Sequence, residues 1–387
     1  MKSGKLPAIV VVAYNRPAAL ARILKTIAQA EYGHYQDIPL VISIDKSDRT
    51  DVSTVAHEFN WTYGSKRVIE RPKNLGLRNH VIACGDLTYE YGALILLEDD
   101  LLVSPEYYKY TVKALLFYAS QPKISGISLY SYDFNEYAES RFSPIEDGFD
   151  NYFIQTASSW GQAWTAEQWQ GFRTWYEDHS AFDGQCDRLP QKLLEWPERS
   201  WKKFFIKYMI LNDKYFVYPR ISLSTNSGVN GANHTGSLNY QVSLQLGSKD
   251  YAFSQIENAL AIYDSHYELD ACSLKQLNSE LRDIDFECDL YGTKSVDNVK
   301  ATHLISIKDC DRPVASYELS LVPQELNIAF GLSGSFFTLG KVGDFTSVND
   351  RKQVLQLQCL HKNLGWKRYV LILKEIITNA ILRALHK

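Results

Sequence analysis

The chain has 387 residues, 45% of them hydrophobic, and a formal net charge of −4. That length accommodates two or three domains, or one large domain with additions, and the charge gives no electrostatic ground for binding nucleic acid. Six cysteines form no CxxC pair and no zinc-ligand spacing, which fits reduced thiols in a cytoplasmic protein.

Ala8–Ala13 reads as an apolar strand. Pro17 suits the first turn of a helix, along which Leu20, Ile23, Leu24 and Ile27 recur at helical spacing. Further strands are expected at Pro39–Ile44, Arg67–Glu70, Ala93–Leu97 and Ile124–Tyr130, and helices at Val52–Phe59, Leu77–Leu87 and Pro105–Ala119. This alternation predicts a mostly parallel sheet with helices on both faces. Beyond residue 130 the pattern changes. Tyr152–Thr165 reads as aromatic and irregular, Ala166–Asp178 and Trp201–Leu211 as helices, Lys214–Ser222 as a strand and Thr225–Gly236 as a polar loop. Asp250–Leu290 is acidic and partly helical in pattern, and Ala301–Phe345 has short alternating runs with Gly-rich turns. The tail, Leu364–Leu385, is a candidate amphipathic helix with basic flanks, able to lie on an anionic leaflet or to dock on protein. The start of the chain carries no signal-peptide pattern, and no run of about 18 apolar residues is present, so neither export nor a membrane span is expected.

Chemistry concentrates at the strand ends. Five apolar residues of the fourth strand lead into Glu98-Asp99-Asp100. In open α/β sheets ligands gather at the carboxyl ends of strands. Acids crowded there repel one another unless a cation compensates, and a hard divalent cation holding phosphate oxygens is the simplest explanation. The alternative is a solvated acidic turn. There is neither a GxGxxG after the first strand nor a Walker A sequence. Side chains stand there instead: Tyr14, Asn15 and Arg16 after the first strand, Asp45 after the second, and Arg78 and His80 at the next helix start. That arrangement suits a nucleotide diphosphate held by a metal.

Ala8–Pro17, Ile42-Ser43-Ile44-Asp45, Asn74-Leu75-Gly76-Leu77-Arg78 and Leu96–Leu101 together resemble GT-A-fold glycosyltransferases, especially the N-acetylglucosaminyltransferase I family and its bacterial relatives. Ser158-Ser159-Trp160-Gly161-Gln162-Ala163-Trp164 resembles a Trp-rich run of bacterial sugar transferases. Tyr218-Pro219-Arg220 through Asn226, Gly228 and His234-Thr235-Gly236 is similar to the strand and loop that close their sites. The resemblance implies an α/β, GT-A-like (Rossmann-like) fold with a C-terminal mixed, β-rich extension and terminal helix. Expected segments are 1–130 for the nucleotide sugar, 131–240 for the acceptor, an acidic helical extension at 241–300, a β-rich appendage at 301–357 and a C-terminal helix at 358–387.

The resemblance further implies an inverting transfer from a nucleotide sugar, with UDP the expected carrier, to a carbohydrate or lipid-linked glycan in cell-surface glycan synthesis. Asp100 would bind Mn²⁺ or Mg²⁺; Glu98 and Asp99 would contact ribose or metal-bound water. Tyr14, Arg16, Asp45, Arg78, His80 and His234 would contact the nucleotide. Trp160 and Trp164 would either wall the acceptor site or pack in the core. The general base is less evident, because Lys202 and Lys203 stand where relatives carry an acid, and a protonated lysine is a poor base. Glu198 and Asp187 are the candidates. A sugar nucleotidyltransferase would show a Gly-rich basic loop after the first strand, where Tyr14-Asn15-Arg16-Pro17 stands. A catalytically degenerate carbohydrate-binding subunit is the other alternative, supported by the two lysines.

Overall fold

The computed structural model describes residues 6–227 and 240–360, together with positions 370, 373, 374, 377 and 378. The first part runs β1 (Ala8–Ala13), α1 (Pro17–Ala28), β2 (Leu40–Ile44), α2 (Asp51–Glu58), β3 (Lys66–Glu70), α3 (Gly76–Gly85), α4 (Thr88–Tyr91), β4 (Ala93–Glu98), β5 (Leu101–Val103), α5 (Tyr107–Tyr118) and β6 (Ile124–Ser128). A small hairpin follows, β7 (Phe134–Asn135) with β8 (Ser140–Arg141). Next come β9 (Asn151–Ile154), β10 (Gln162–Thr165), α6 (Ala166–Asp178), α7 (Gln191–Leu194), α8 (Trp201–Leu211), β11 (Tyr215–Pro219), β12 (Ser224–Asn226) and β13 (Ile262–Tyr263). The last part holds α9 (Ala271–Leu277), β14 (Phe286–Asp289), β15 (His303–Ser306), β16 (Pro313–Tyr317), α10 (Glu325–Ala329), β17 (Phe337–Lys341) and α11 (Asp350–Leu360).

Among the described residues the main sheet has nine strands in the order β13-β9-β11-β6-β10-β4-β1-β2-β3. β1 is parallel to both β2 and β4, and every residue of it is buried. A strand covered on both faces needs apolar side chains on both, which is why β1 and β4 read as unbroken hydrophobic runs. One face packs against α1 and α5 through Leu20, Ile23, Tyr107 and Leu115. The other packs against α3, α6 and α8 through Val81, Trp169, Phe172 and Phe205. Thr165 starts α6 with a capping box: its hydroxyl accepts from the Gln168 amide at 3.2 Å, and the Gln168 side chain accepts from the Thr165 amide at 3.0 Å.

Tyr152–Thr165, expected to be irregular, supplies β9 and β10. β10 is inserted antiparallel between β4 and β6. It is buried on both faces, so no polar alternation marks it. Part of the stretch expected to be acidic and helical also forms strand: β13 joins the main sheet, and β14 is parallel to β15.

The second sheet has the order β14-β15-β17-β16. Buried charges fix it to the segment after β13. Lys294 lies 2.6 Å from Asp264 and 3.2 Å from Glu287, Glu268 accepts from the Tyr291 amide at 2.8 Å, and Lys308 pairs with Asp289. His266 meets Thr293 at 3.0 Å in the same seam. His234, Gly228 and nearly all of the basic tail lie outside the described residues.

Candidate active site

The carboxyl ends of β1 and β4 bring Arg16 together with the acidic triplet. Arg16 donates to Asp100 Oδ2 at 3.0 Å and pairs with Asp99 through its other terminal nitrogen. Each carboxylate keeps one buried oxygen without a partner, Asp99 Oδ2 and Asp100 Oδ1. Burial pushes Asp99 up to about 6, with Arg16 opposing the shift and Asp100 adding to it. Burial, then Asp100 and Asp99, raise Glu98 to about 8, against the pull of Arg16 and Lys202. Burial disfavours the Arg16 charge, but the two carboxylates outweigh it and hold the guanidinium above its ordinary value. Two orphaned carboxylate oxygens in a buried acidic corner fit a hard divalent cation. Among the described residues no three His, Cys, Asp or Glu side chains converge as ligands.

The other predicted nucleotide contacts are distributed around this corner. Asp45 accepts from the amides of Leu75 at 2.8 Å and Gly76 at 3.0 Å, which anchors the start of α3. His80 is buried, 2.8 Å from the Ser43 hydroxyl, and burial lowers it to about 4, so the ring is neutral at pH 7. Tyr14 is exposed beside the Arg16 turn. Arg78 lies over the Phe204 ring at 4.7 Å and pairs with Glu198 at 3.7 Å. The Ser227 amide donates to the Asp100 carbonyl at 2.8 Å, and β12 pairs with β5, so the polar loop after β11 leaves the sheet beside the triplet.

An aromatic wall stands next to the triplet. Trp160 packs edge-on against Tyr130 at 4.8 Å and Tyr240 at 6.2 Å, and Phe134 meets Tyr240 at 5.4 Å. Trp164 instead is fully buried between Trp169 and Phe205, so of the two tryptophans only Trp160 faces the wall. A cavity of about 510 Å³ opens nearby, lined among others by Tyr132, Phe134, Arg141, Arg220 and Ser222.

The two candidate bases are exposed and held in ion pairs. Glu198 is 63% exposed and held by Arg78 and Lys203; Asp187 is 58% exposed and paired with Lys300 at 2.7 Å. The two lysines differ in role. Lys203 donates to the carbonyls of Leu194 at 3.1 Å and Trp196 at 2.8 Å and so closes the turn before α8. Lys202 lies 3.6 Å from Glu136 and over the Trp196 ring at 4.7 Å. Glu136 and Gln162 are side chains that the sequence reading misses. Gln162 is buried on β10 opposite Leu96 with both amide atoms unpartnered. Glu136 follows a two-residue strand and had no local pattern to reveal it.

A Rossmann-like sheet with an acidic triplet closing a central strand, and an added antiparallel strand beside it, defines a GT-A-like transferase fold. Residues 8–165 match the model of Glycosyl transferase family 2. That match spans the part of the chain from β1 to β10 and agrees with the fold. Similar solved structures include S. aureus TarS 1-349, at 12% identity and a TM-score of 0.39, with 58% of this chain and 61% of that one covered. The mannosyltransferase PcManGT from Pyrobaculum calidifontis, in complex with GDP-Man and Mn²⁺, shares 10% identity at a TM-score of 0.38, covering 59% of each chain. GalNAc-T7 with UDP, GalNAc and Mn²⁺ shares 12% at 0.38, covering 57% of this chain and 43% of that one. The chain thus spans less than two thirds of each of these structures, and at these values the likeness adds nothing to what strand order and the family match establish. No curated protein matches the chain by sequence.

Proposed function

We propose that this chain is a glycosyltransferase that moves a sugar from a nucleotide diphosphate, UDP-linked, to a carbohydrate or lipid-linked glycan acceptor with inversion at C1. The observation that carries the reading is the pair of buried, unpartnered carboxylate oxygens on Asp99 and Asp100, spanned by Arg16. Mn²⁺ or Mg²⁺ held by Asp100, with Asp99 beside it, would supply positive charge to the departing diphosphate. Arg16 pairs with both carboxylates and opposes the upward shift that burial imposes on Asp99. Glu98, raised to about 8, is mostly protonated at pH 7 and offers a hydrogen-bond donor to a ribose hydroxyl. Trp160 offers an aromatic face to a sugar ring. Synthesis of a cell-surface glycan from the cytoplasmic side, with the tail on the membrane, completes the reading; among the described residues no helix is long and apolar enough to cross a membrane.

Thermal-shift titration with UDP and UDP-sugars, with and without Mn²⁺, tests this. Ligand binding to the folded state raises Tm. The expected result is a shift with UDP that requires Mn²⁺ and disappears with EDTA and in Asp100→Asn. Pyrophosphate as the product in place of UDP would indicate nucleotidyl transfer. Carbohydrate binding without any donor turnover would indicate a degenerate subunit.

A further inference from the structure

Lys202 stands at the first turn of α8, where the resemblance leads one to expect an acid, and its partner is a carboxylate from a distant part of the chain. Its ammonium lies 3.6 Å from Glu136 Oε1, with side chains only 14% and 20% accessible. The Trp196 ring covers the ammonium at 4.7 Å. Glu136 comes directly after β7, whose Phe134 packs on Tyr240, and Tyr240 in turn packs on Trp160. The Lys202 charge reaches Glu98 on one side, and the Glu136 charge reaches Tyr130 and Tyr240 on the other. This ion pair therefore bridges the donor corner and the aromatic wall. Of the other carboxylates nearby, Glu198 is held by Arg78 and Lys203 and Glu139 by Lys192, while Asp133 lines the cavity beside Phe134 without meeting Lys202.

We propose that Glu136 is the general base of the transfer and that Lys202 is its positioning residue; the assignment rests on the transfer reading above. As the acceptor oxygen forms its bond to C1 of the sugar, Glu136 takes the hydroxyl proton. The C1–O bond to the diphosphate breaks, and its electron pair leaves on the diphosphate. One face of the Glu136 carboxylate is occupied by Lys202, which holds it in place, and the accessible part remains for the acceptor. Where the resemblance leads one to expect an acid, α8 carries Lys202, and the carboxylate that meets it comes from the segment after β7.

The test uses the full chain, with UDP release from UDP-N-acetylglucosamine and UDP-glucose in the presence of Mn²⁺ and water as acceptor. Glu136→Gln should lower UDP release roughly 100-fold or more, the usual contribution of a general base. Its affinity for Mn²⁺ with UDP should stay within about twofold of wild type, with Tm little changed. Glu136→Asp should restore part of the rate. The groups facing Glu136 are Lys202 of α8 and the tyrosines Tyr130, Tyr132, Tyr137, Tyr218, Tyr240 and Tyr267. Lys202 alone among these is cationic, so Lys202→Met should lower kcat for UDP release while the donor KM stays near wild type, and Lys202→Arg should restore part of the rate, which loss of packing would not do. Wild-type UDP release by Glu136→Gln, or loss in Glu198→Gln with Glu136→Gln intact, overturns the assignment. A wild-type protein that neither binds Mn²⁺ with UDP nor releases UDP overturns the transfer reading and the assignment with it.

Discussion

Protons and the divalent cation should compete for Asp99, and the competition has a calculable size. Burial holds Asp99 at about 6, so its carboxylate is mostly ionised at pH 7 and mostly neutral at pH 5. From the ratio of ionised fractions, cation affinity should fall roughly tenfold between those pH values, about 1.4 kcal/mol. Glu98, at about 8, is protonated through nearly all of this range and adds no second proton. Calorimetric titration of Mn²⁺ into protein saturated with a UDP-sugar, whose esterified diphosphate does not titrate here, measures both affinity and protons released. The expected result is release of up to one proton, rising as pH falls through about 6. Arg16→Ala removes the guanidinium that opposes the Asp99 shift, so the bend should move to higher pH. Affinity that stays flat from pH 7 to pH 5, or a two-proton slope, would refute the reasoning.

Three further outcomes are expected. Asp100→Asn should lower turnover by roughly 100-fold or more while Tm changes little, because it removes charge at the leaving group rather than core packing. His80 is neutral in the fold with its value lowered to about 4. The unfolded chain therefore binds a proton near pH 6.5 that the native state refuses, and stability falls as pH drops from about 6.5 to about 4, by about 3 kcal/mol for this residue. Chemical denaturation at pH 7 and pH 4.5 should show a smaller loss in His80→Gln than in wild type. Gly126→Ala should destabilise by about 1–3 kcal/mol, an overpacking cost. Its Cβ would come within 2.6 Å of the Phe216 ring and 2.7 Å of Trp164 Nε1, seen as a lower urea midpoint.

Local pattern made α1, α6 and α8 legible: apolar spacing, opened by a proline in α1 and a threonine in α6, marks a helix without reference to anything distant. The acidic triplet was legible as well, since a buried strand ending in three carboxylates is unusual within a few residues of sequence. Its compensation by Arg16 depends on β1 lying beside β4, which βαβ alternation already implies. β10 was hidden because its character comes from burial between two strands far away in sequence. Trp160 differs from Trp164 because it lies in the turn before β10, whereas Trp164 lies within the buried strand. Asp45 and His80 stand at the expected strand and helix ends, yet main-chain amides and Ser43 occupy them, contacts that no spacing rule encodes. Glu136 was invisible for the same reason, as its partner lies on α8.

The insertion of β10 between β4 and β6 bears on how two substrates would meet. The cation corner ends one of these strands, and the Trp160 wall belongs to the turn feeding β10, joined to β4 rung by rung. Substrate alignment here would be built into a continuous lattice of backbone amides and carbonyls.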